Sequence, residues 1–226
     1  MAALVAAMPR PDQMVQGPAF QLTRRGRQWE ARATVAGEYE LIRADGESQS
    51  VTIGEVASPM ILAGPWEVGF ASGGGAPDWV VFDFLLDWTR HPDAGIRHYS
   101  GKATYRTTVT WPSSPLSDPN AQIHLDLGEV RDLATVRVNG KEMGTLWLAP
   151  FRVDITSAVH DGVNAIEVDV VNVWNNRLVG DAALPAEQRR TFLLAPTVSK
   201  DASLLPAGLI GPVSVQVRPV TAVDYR

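Results

Sequence analysis

Residues 125–144 read Leu-Asp-Leu-Gly-Glu-Val-Arg-Asp-Leu-Ala-Thr-Val-Arg-Val-Asn-Gly-Lys-Glu-Met-Gly, and the same run continues to Trp-Asn-Asn-Arg-Leu-Val-Gly-Asp at 174–181. Apolar residues alternate with polar ones before and after Asn139-Gly140, which predicts two strands, each with one buried face. Asn and Gly both tolerate a positive φ, so this pair favours a type I′ hairpin turn. The stretch therefore predicts antiparallel β-structure.

The same alternation recurs on both sides of this stretch, for example at Trp66, Val68 and Phe70. Strands at intervals of about 8–12 residues, with turn residues between them and no long helical period, are typical of a sandwich. We predict an all-β fold, an antiparallel β-sandwich of the jelly-roll kind. The predicted organisation is a flexible lead-in (1–19), a small N-terminal β appendage (20–57), the sandwich (58–220) and a tail (221–226).

Composition excludes several classes of function. The chain has 226 residues, a formal net charge of −5 and no cysteine. An acidic chain without a basic stripe argues against nucleic-acid binding, and the lack of thiols excludes disulfides and thiolate chemistry. The apolar run at residues 1–8 is too short to span a membrane and lacks the basic start of a signal peptide. We expect neither a nucleic-acid partner nor a membrane partner.

Several segments together resemble a known group of domains. Residues 97–111, 136–144, 150–155 and 162–168 are similar to strands of the sugar-binding domains of family 2 type glycoside hydrolases, which have the galactose-binding-like jelly-roll fold. A closer resemblance is to the C-terminal region of family 106 α-L-rhamnosidases, where segments like Gly64-Pro-Trp66, Leu146-Trp-Leu-Ala-Pro-Phe151 and Asn172–Asp181 occur in this order. The resemblance covers about residues 60–218.

The resemblance implies an accessory role. Those enzymes carry out their chemistry in a separate (β/α)₈ barrel, which needs about 250 residues of alternating strand and helix, and the chain has no such segment. It therefore implies a carbohydrate-binding or accessory module that is non-catalytic by itself, with a glycan ligand and the catalytic barrel of a parent enzyme as partners. We expect the parent protein to be periplasmic or secreted and bacterial, although this chain shows no signal peptide.

The first candidate carbohydrate-binding site is the segment that contains Trp174, Asn175, Asn176, Arg177 and Asp181. An exposed indole stacks on a pyranose face, while amides and a guanidinium bind hydroxyl groups. Alternatively, Trp174 packs at the end of the sheet and Arg177 and Asp181 form a structural ion pair. A third reading has this loop facing the catalytic barrel.

The second candidate site lies earlier in the chain and comprises Trp88, His91, Asp93, Arg97, His98 and Tyr99. Imidazole and carboxylate groups also suit divalent metal ions, but the spacing matches no metal-binding motif. Contact with a sugar, contact with another domain and plain loop structure remain alternatives. We predict no metal site and no cofactor, and leave a structural calcium ion open.

The third candidate is Trp147 with Arg152. Trp147 follows the predicted hairpin and suits a rim aromatic, and packing in the core is the alternative. A rival hypothesis holds that the domain only braces a catalytic barrel, which predicts a flat apolar patch near Trp147 or Trp174.

Independent catalysis is the remaining alternative. A glycosidase needs two carboxyl groups about 5–10 Å apart, and the many carboxylates of this chain offer too many pairs to single one out. A compact glycoside hydrolase that carries its own carboxylate pair therefore stays open, but we lean against enzymatic activity.

Overall fold

The computed structural model describes residues 20–26, 28–42, 44–111, 121–192 and 198–223. The strands are β1 (Phe20–Arg25), β2 (Gln28–Ala33), β3 (Gly37–Ile42), β4 (Ser48–Ile53), β5 (Met60–Ile61), β6 (Trp66–Phe70), β7 (Trp79–Phe82), β8 (Lys102–Trp111), β9 (Gln122–Asp126), β10 (Glu129–Arg131), β11 (Leu133–Val138), β12 (Lys141–Leu146), β13 (Arg152–Asp154), β14 (Gly162–Val171), β15 (Gly208–Gly211), β16 (Ser214–Arg218) and β17 (Thr221–Val223). The helices are α1 (Ala94–Arg97) and α2 (Asn175–Ala182), with 3₁₀ turns at Trp88–Arg90 and Ala186–Gln188. The predicted all-β fold is confirmed.

Two sheets enclose the main core. One has six strands in the order β12-β11-β14-β8-β6-β7, and the other has four in the order β13-β9-β16-β5, with all neighbours antiparallel. Alternate residues of the strands point between the sheets, so that Trp66, Val68, Tyr105, Leu125 and Val168 are fully buried. The apolar alternation in the sequence therefore marks the inward faces of the sandwich.

The Asn-Gly turn forms as predicted. Val138 pairs with Lys141, which leaves Asn139 and Gly140 as a two-residue loop with φ values of 51° and 78°. These angles suit a type I′ turn, whose twist matches that of the flanking strands. The turn fixes the register of β11 and β12 next to it, where Arg137 pairs with Glu142, and an irregularity between Val136 and Arg137 shifts the pairing by one residue farther along.

The N-terminal strands form a smaller body with its own core. A sheet of order β1-β2-β17 and the β3–β4 hairpin bury Phe20, Leu41, Val51 and Ile53. Strand β17 pairs with β2, so residues 221–223 are part of this body, in contrast to the predicted tail. Antiparallel pairing with β2 satisfies their backbone groups. The lead-in and residues 224–226 lie outside the described residues.

The outer face of the four-stranded sheet lies next to the N-terminal body. It carries His124, Asp126, Arg152 and Arg218. The positive charge of Arg32 on β2 is close enough to contribute to lowering the pKa values of His124 and Arg218. Burial and the nearby Arg218 lower the pKa of His124 to about 4, against a weaker opposing effect of Asp154. Burial likewise lowers the pKa of Arg218 to about 10. One outer face of the sandwich is thus largely closed.

Candidate functional site

Two of the predicted aromatic residues lie at one end of the sandwich. Leu146 at the end of β12 pairs with Ala134, and Val171 at the end of β14 pairs with the adjacent Leu133. The segments that follow these two strands therefore leave the six-stranded sheet at the same end of its strands. We use the term end surface for Trp147, Leu148, Val173 and Trp174, which are all exposed, the two tryptophans by 73% and 64%.

The polar residues predicted to accompany Trp174 face inward. Asn176, Arg177 and Asp181 are buried in α2. The amide of Asn176 donates to the Leu205 carbonyl at 2.7 Å, and its oxygen accepts from the Leu205 N–H at 2.8 Å. Asn175 donates to the carbonyl of Ser203 at 3.4 Å. These amides tie α2 to the segment before β15.

Arg177 and Asp181 form an internal pair. Arg177 Nε lies 3.0 Å from Asp181 Oδ1, a close ion pair without the alignment of a hydrogen bond. Asp181 Oδ2 accepts from the backbone N–H groups of Arg190 and Thr191 and from the Thr191 hydroxyl at 2.6–3.0 Å. Burial alone would raise the pKa of Asp181, but these donors and Arg177 outweigh it, so the pKa is lowered. Arg177 and Asp181 thus form the structural ion pair that was the alternative to sugar binding.

The second candidate site is a folded loop, and the prediction that its Trp88 binds a sugar is wrong. Trp88 is fully buried and its Nε1 donates to the Tyr105 hydroxyl at 2.6 Å. Tyr99 is likewise only 1% exposed. Both are therefore core residues and cannot contact a glycan. The Trp88 indole is large and apolar, and its single polar atom finds a buried partner, which is what allows an indole into a core.

The other residues of this loop hold its shape. Asp93 caps α1 by accepting from the Gly95 N–H at 2.7 Å. His91 stacks on Phe82 with ring centroids 5.4 Å apart. Arg97 donates to the carbonyls of His91 and Pro92 at 3.1 and 2.9 Å. The loop thus uses most of its polar groups internally.

The structure brings the first two candidate groups together. The His98 side chain lies so close to Gly180 of α2 that a Cβ there would be 2.8 Å away. The backbone N–H of Arg177 donates to the Ser100 hydroxyl at 3.2 Å, and the guanidinium of Arg177 donates to the Gly74 carbonyl at 3.4 Å. These contacts join the loops into one cluster beside the end surface.

The third pair is separated by the structure. Arg152 lies on β13, where its Nε and Nη2 donate to Asp126 Oδ2 at 3.0 and 2.5 Å. Its side chain is only 12% exposed, and it belongs to the closed outer face of the four-stranded sheet. The described contacts of Arg152 therefore hold it to Asp126, and its role in this structure is an internal ion pair.

Metal binding has no obvious candidate in the described ranges. Among those residues, no group of three or more His, Cys, Asp or Glu side chains could hold a metal ion. Within the same ranges, no helix is both long and apolar enough to cross a membrane. A structural calcium ion stays an open expectation from the sequence.

One polar surface was not anticipated from the sequence. The outer face of the six-stranded sheet carries what we call the polar ladder, which comprises Thr104, Arg106, Arg137, Glu167 and Asp169. Cross-strand register places Glu167 directly between Arg137 of β11 and Arg106 of β8, at 2.8 and 2.7 Å. Asp169 lies 3.0 Å from Arg137 and accepts from the Thr104 hydroxyl at 2.6 Å.

The polar ladder also shifts the pKa values of Asp169 and Arg137. Burial alone would raise the pKa of Asp169, but hydrogen bonds from Thr104 and Arg137 outweigh it and the pKa is lowered. The same bonds to Asp169 and Glu167 raise the pKa of Arg137. These side chains occupy outward positions on β11, β14 and β8, which are adjacent in the sheet but far apart in the sequence. Only the pairing of these strands shows that the side chains meet.

Comparison with known proteins supports the predicted resemblance. Residues 90–197 match the family described as glycosyl hydrolase 2 galactose-binding domain-like. A putative beta-glucuronidase from Formosa agariphila is 37% identical over 195 residues, a match that spans 76% of this chain and 17% of that protein. Residues 90–197 therefore match the galactose-binding-like domains of glycoside hydrolase family proteins, and the predicted resemblance is confirmed.

Solved structures give the same picture. A rhamnosidase from Novosphingobium sp. PP1Y superposes with a TM-score of 0.70 at 27% identity, over 95% of this chain and 24% of that chain. A beta-D-glucuronidase from Dictyoglomus thermophilum shares the fold, with a TM-score of 0.52 at 21% identity over 74% of this chain and 29% of its own. The chain thus spans less than a third of each of these relatives.

Proposed function

Starting from a galactose-binding-like domain of glycoside hydrolases, we propose that this chain is a non-catalytic accessory module of a larger, rhamnosidase-like enzyme. Its end surface packs against the catalytic part of the same polypeptide. The observation that carries this proposal is the end surface itself, which is apolar and exposed while the polar groups beside it are already paired.

Recognition of a sugar needs more than an exposed ring. A binding site combines an aromatic face with a few convergent polar groups that are free to bind hydroxyls. Beside Trp174, the side chains of Asn176, Arg177 and Asp181 are committed to internal contacts. An apolar surface with a satisfied polar surround is instead typical of a contact with another protein domain.

The relatives support a larger parent. The matched part of the chain covers 17% of the Formosa protein and 24% of the Novosphingobium rhamnosidase, so a parent of similar design would be about four to five times its length. A parent of this kind would carry the catalytic barrel elsewhere. We propose that this parent is a periplasmic or secreted bacterial protein, as expected from the resemblance.

Glycan contact at the same end is the second candidate function. The exposed indoles of Trp147 and Trp174 could form the rim of a substrate site that the neighbouring domain completes. The reading of a compact glycosidase has less support, because Asp169 and Asp181 each lie against an arginine and have lowered pKa values. A general acid needs a raised pKa, and an adjacent guanidinium acts in the opposite direction.

The size of the native product and its activity form the first test. Immunoblotting of the native host with an antibody against this chain should reveal a product several times larger than 24.5 kDa. The purified chain should show no turnover on a panel of aryl glycosides. A native product of 24.5 kDa alone, or turnover that disappears when one carboxylate is replaced, would overturn the proposal.

The second test addresses the end surface. The chain and the remainder of its parent are expressed separately, and their affinity is measured by surface plasmon resonance. Trp147→Asp with Trp174→Asp should weaken binding by roughly a hundredfold, because two charges would be buried without partners. The control is Val163→Asp, an exposed apolar position at the opposite end of β14. Equal loss in both variants would count against docking at this end.

A further inference from the structure

The polar ladder faces solvent on the outer side of the six-stranded sheet. Two rows of residues cross the sheet side by side. The first row reads Arg137, Glu167, Arg106, Glu67 and Val81 from β11 to β7, and the second row reads Thr135, Asp169, Thr104, Gly69 and Trp79. Hydrogen-bond donors and carboxylates alternate along the first row.

An aromatic platform ends the second row. The indole of Trp79 lies over Gly69, so closely that a Cβ at that glycine would be 2.9 Å from the ring. The Arg106 guanidinium lies 4.9 Å from the ring centroid, a cation–π distance. Trp79 is nevertheless 57% exposed. The ring is therefore fixed in place by the sheet and still accessible to a ligand.

The surface between these residues is concave. One groove of about 580 Å³ is lined by residues that include Pro65, Glu67, Thr108 and Ala165. A second groove of about 260 Å³ is lined by Trp79, Lys102 and Thr104, among others. Arg106 borders both. The two grooves follow β8 from Lys102 to Thr108, a length of about 20 Å at about 3.3 Å per residue.

We propose that these two grooves form a binding trough for an uncharged oligosaccharide chain. Trp79 offers an apolar face for a pyranose ring, and the polar ladder lies beside it. Its members are paired with one another, but unlike the buried pair in α2 they remain accessible: the Arg106 side chain is 42% exposed and lines both grooves. Sugar hydroxyls both donate and accept hydrogen bonds, so they match a surface on which guanidinium and carboxylate groups alternate. The length of the trough suits several linked sugar units rather than one.

The charges of the trough disfavour charged ligands. An anionic polymer that approached Arg106 or Arg137 would meet Glu167 within 3 Å of either, and Glu67 lies opposite Arg106 in the register. A cationic ligand would meet the guanidinium groups in the same way. The proposal goes beyond the accessory function because it needs neither the end surface nor a parent enzyme.

The experiment is affinity gel electrophoresis of the full chain. Native gels contain galactomannan, xyloglucan, arabinogalactan or mixed-linkage β-glucan as uncharged probes, and polygalacturonate as the anionic probe. At least one uncharged polysaccharide should retard the chain. Trp79→Ala should weaken that retardation by roughly tenfold, and Ala165→Trp should weaken it by filling the larger groove. Both side chains are exposed, and thermal unfolding verifies that each variant is folded.

Trp174→Ala is the matched control, because it removes an exposed tryptophan from the end surface. It should retain full retardation. The trough is overturned if no uncharged probe retards the chain, if polygalacturonate alone does, or if Trp174→Ala abolishes retardation while Trp79→Ala leaves it intact. The last result would instead support glycan contact at the end surface, so failure of the trough and failure of the proposed function are distinguishable.

Discussion

The end surface and the polar ladder use similar residues in opposite ways. Beside the end surface, arginine and aspartate are buried in α2 and hold the loops together, and apolar rings are left outside. On the six-stranded sheet, ion pairs lie on the surface and the exposed Trp79 lies among them. A tryptophan with neighbouring polar side chains in the sequence is therefore not sufficient evidence of a sugar site. The direction in which those polar groups face decides the matter.

The largest expected effect comes from breaking the buried pair. Asp181→Ala should lower the free energy of unfolding by about 3 kcal/mol, because it strands the Arg177 charge and three donors in the interior. Urea denaturation measures the loss. The matched control is Glu142→Ala at the rim of the polar ladder, where the side chain is 60% exposed and lies 3.6 Å from Arg137. A surface pair of this kind contributes less than about 1 kcal/mol, so equal losses would contradict the comparison.

The closed outer face of the four-stranded sheet should make stability depend on pH. The folded-state pKa of His124 is about 4, below its usual 6.5, so the unfolded chain binds more protons between these values. Stability is then fully present above pH 6.5 and falls as the pH drops towards 4. We expect a loss of roughly 2 kcal/mol, less than the full shift implies because His124 is not fully buried.

His124→Gln should flatten this part of the profile of unfolding free energy against pH. His160→Gln, at an exposed turn, is the control. An unchanged slope in His124→Gln would show that other groups produce the loss. Below about pH 4, the lowered pKa values of Asp169 and Asp181 predict a further decline that both variants share.

A smaller effect is expected from the charge at the centre of the polar ladder. Glu167→Gln leaves Arg106 and Arg137 without the carboxylate between them, and should cost about 1 kcal/mol because all three side chains are partly exposed. High salt should reduce the difference between the variant and the parent chain. A salt-independent difference in chemical denaturation would argue that packing, rather than charge, is responsible.

The smallest effect is expected at the end surface. Trp147→Ser and Trp174→Ser remove exposed side chains, so each should change the stability of the isolated chain by less than about 0.5 kcal/mol. Thermal unfolding of both variants provides the measurement. A large destabilisation would mean that these rings already pack within the domain, which would remove the basis for docking.

Much of the fold could be predicted from the sequence because its signals are local. Alternation identifies the inward faces of β6, β8 and β11, and Asn139-Gly140 identifies one turn. The sites could not be predicted in the same way. Asn176 faces inward because it meets Leu205, 29 residues later, and the polar ladder exists because β8 pairs with β14, about 60 residues away.

Trp88 illustrates the same limit from the other side. Its neighbours in sequence are polar, which suggests an exposed ring, but Tyr105 supplies a buried acceptor for its indole N–H. A single sequence does not show which distant residue provides such a partner. Arg152 was grouped with Trp147 because the two are close in the sequence. In the structure its guanidinium donates to Asp126 on a neighbouring strand instead.

The Asn139-Gly140 turn also bears on how the protein ages. Asparagine before glycine is prone to deamidation, since the next backbone nitrogen attacks the side-chain amide unhindered. Here the amide nitrogen donates to the Ala158 carbonyl and to Asn164 Oδ1, both at 2.8 Å, and the amide oxygen accepts from the Ala165 N–H at 2.9 Å. Cyclisation would have to break these bonds. We expect Asn139 to deamidate more slowly in the folded chain than in a peptide of the same sequence, with mass spectrometry of stored samples as the measurement; equal rates would show that the turn opens freely. A turn protected in this way would keep Val138 paired with Lys141 as the protein ages.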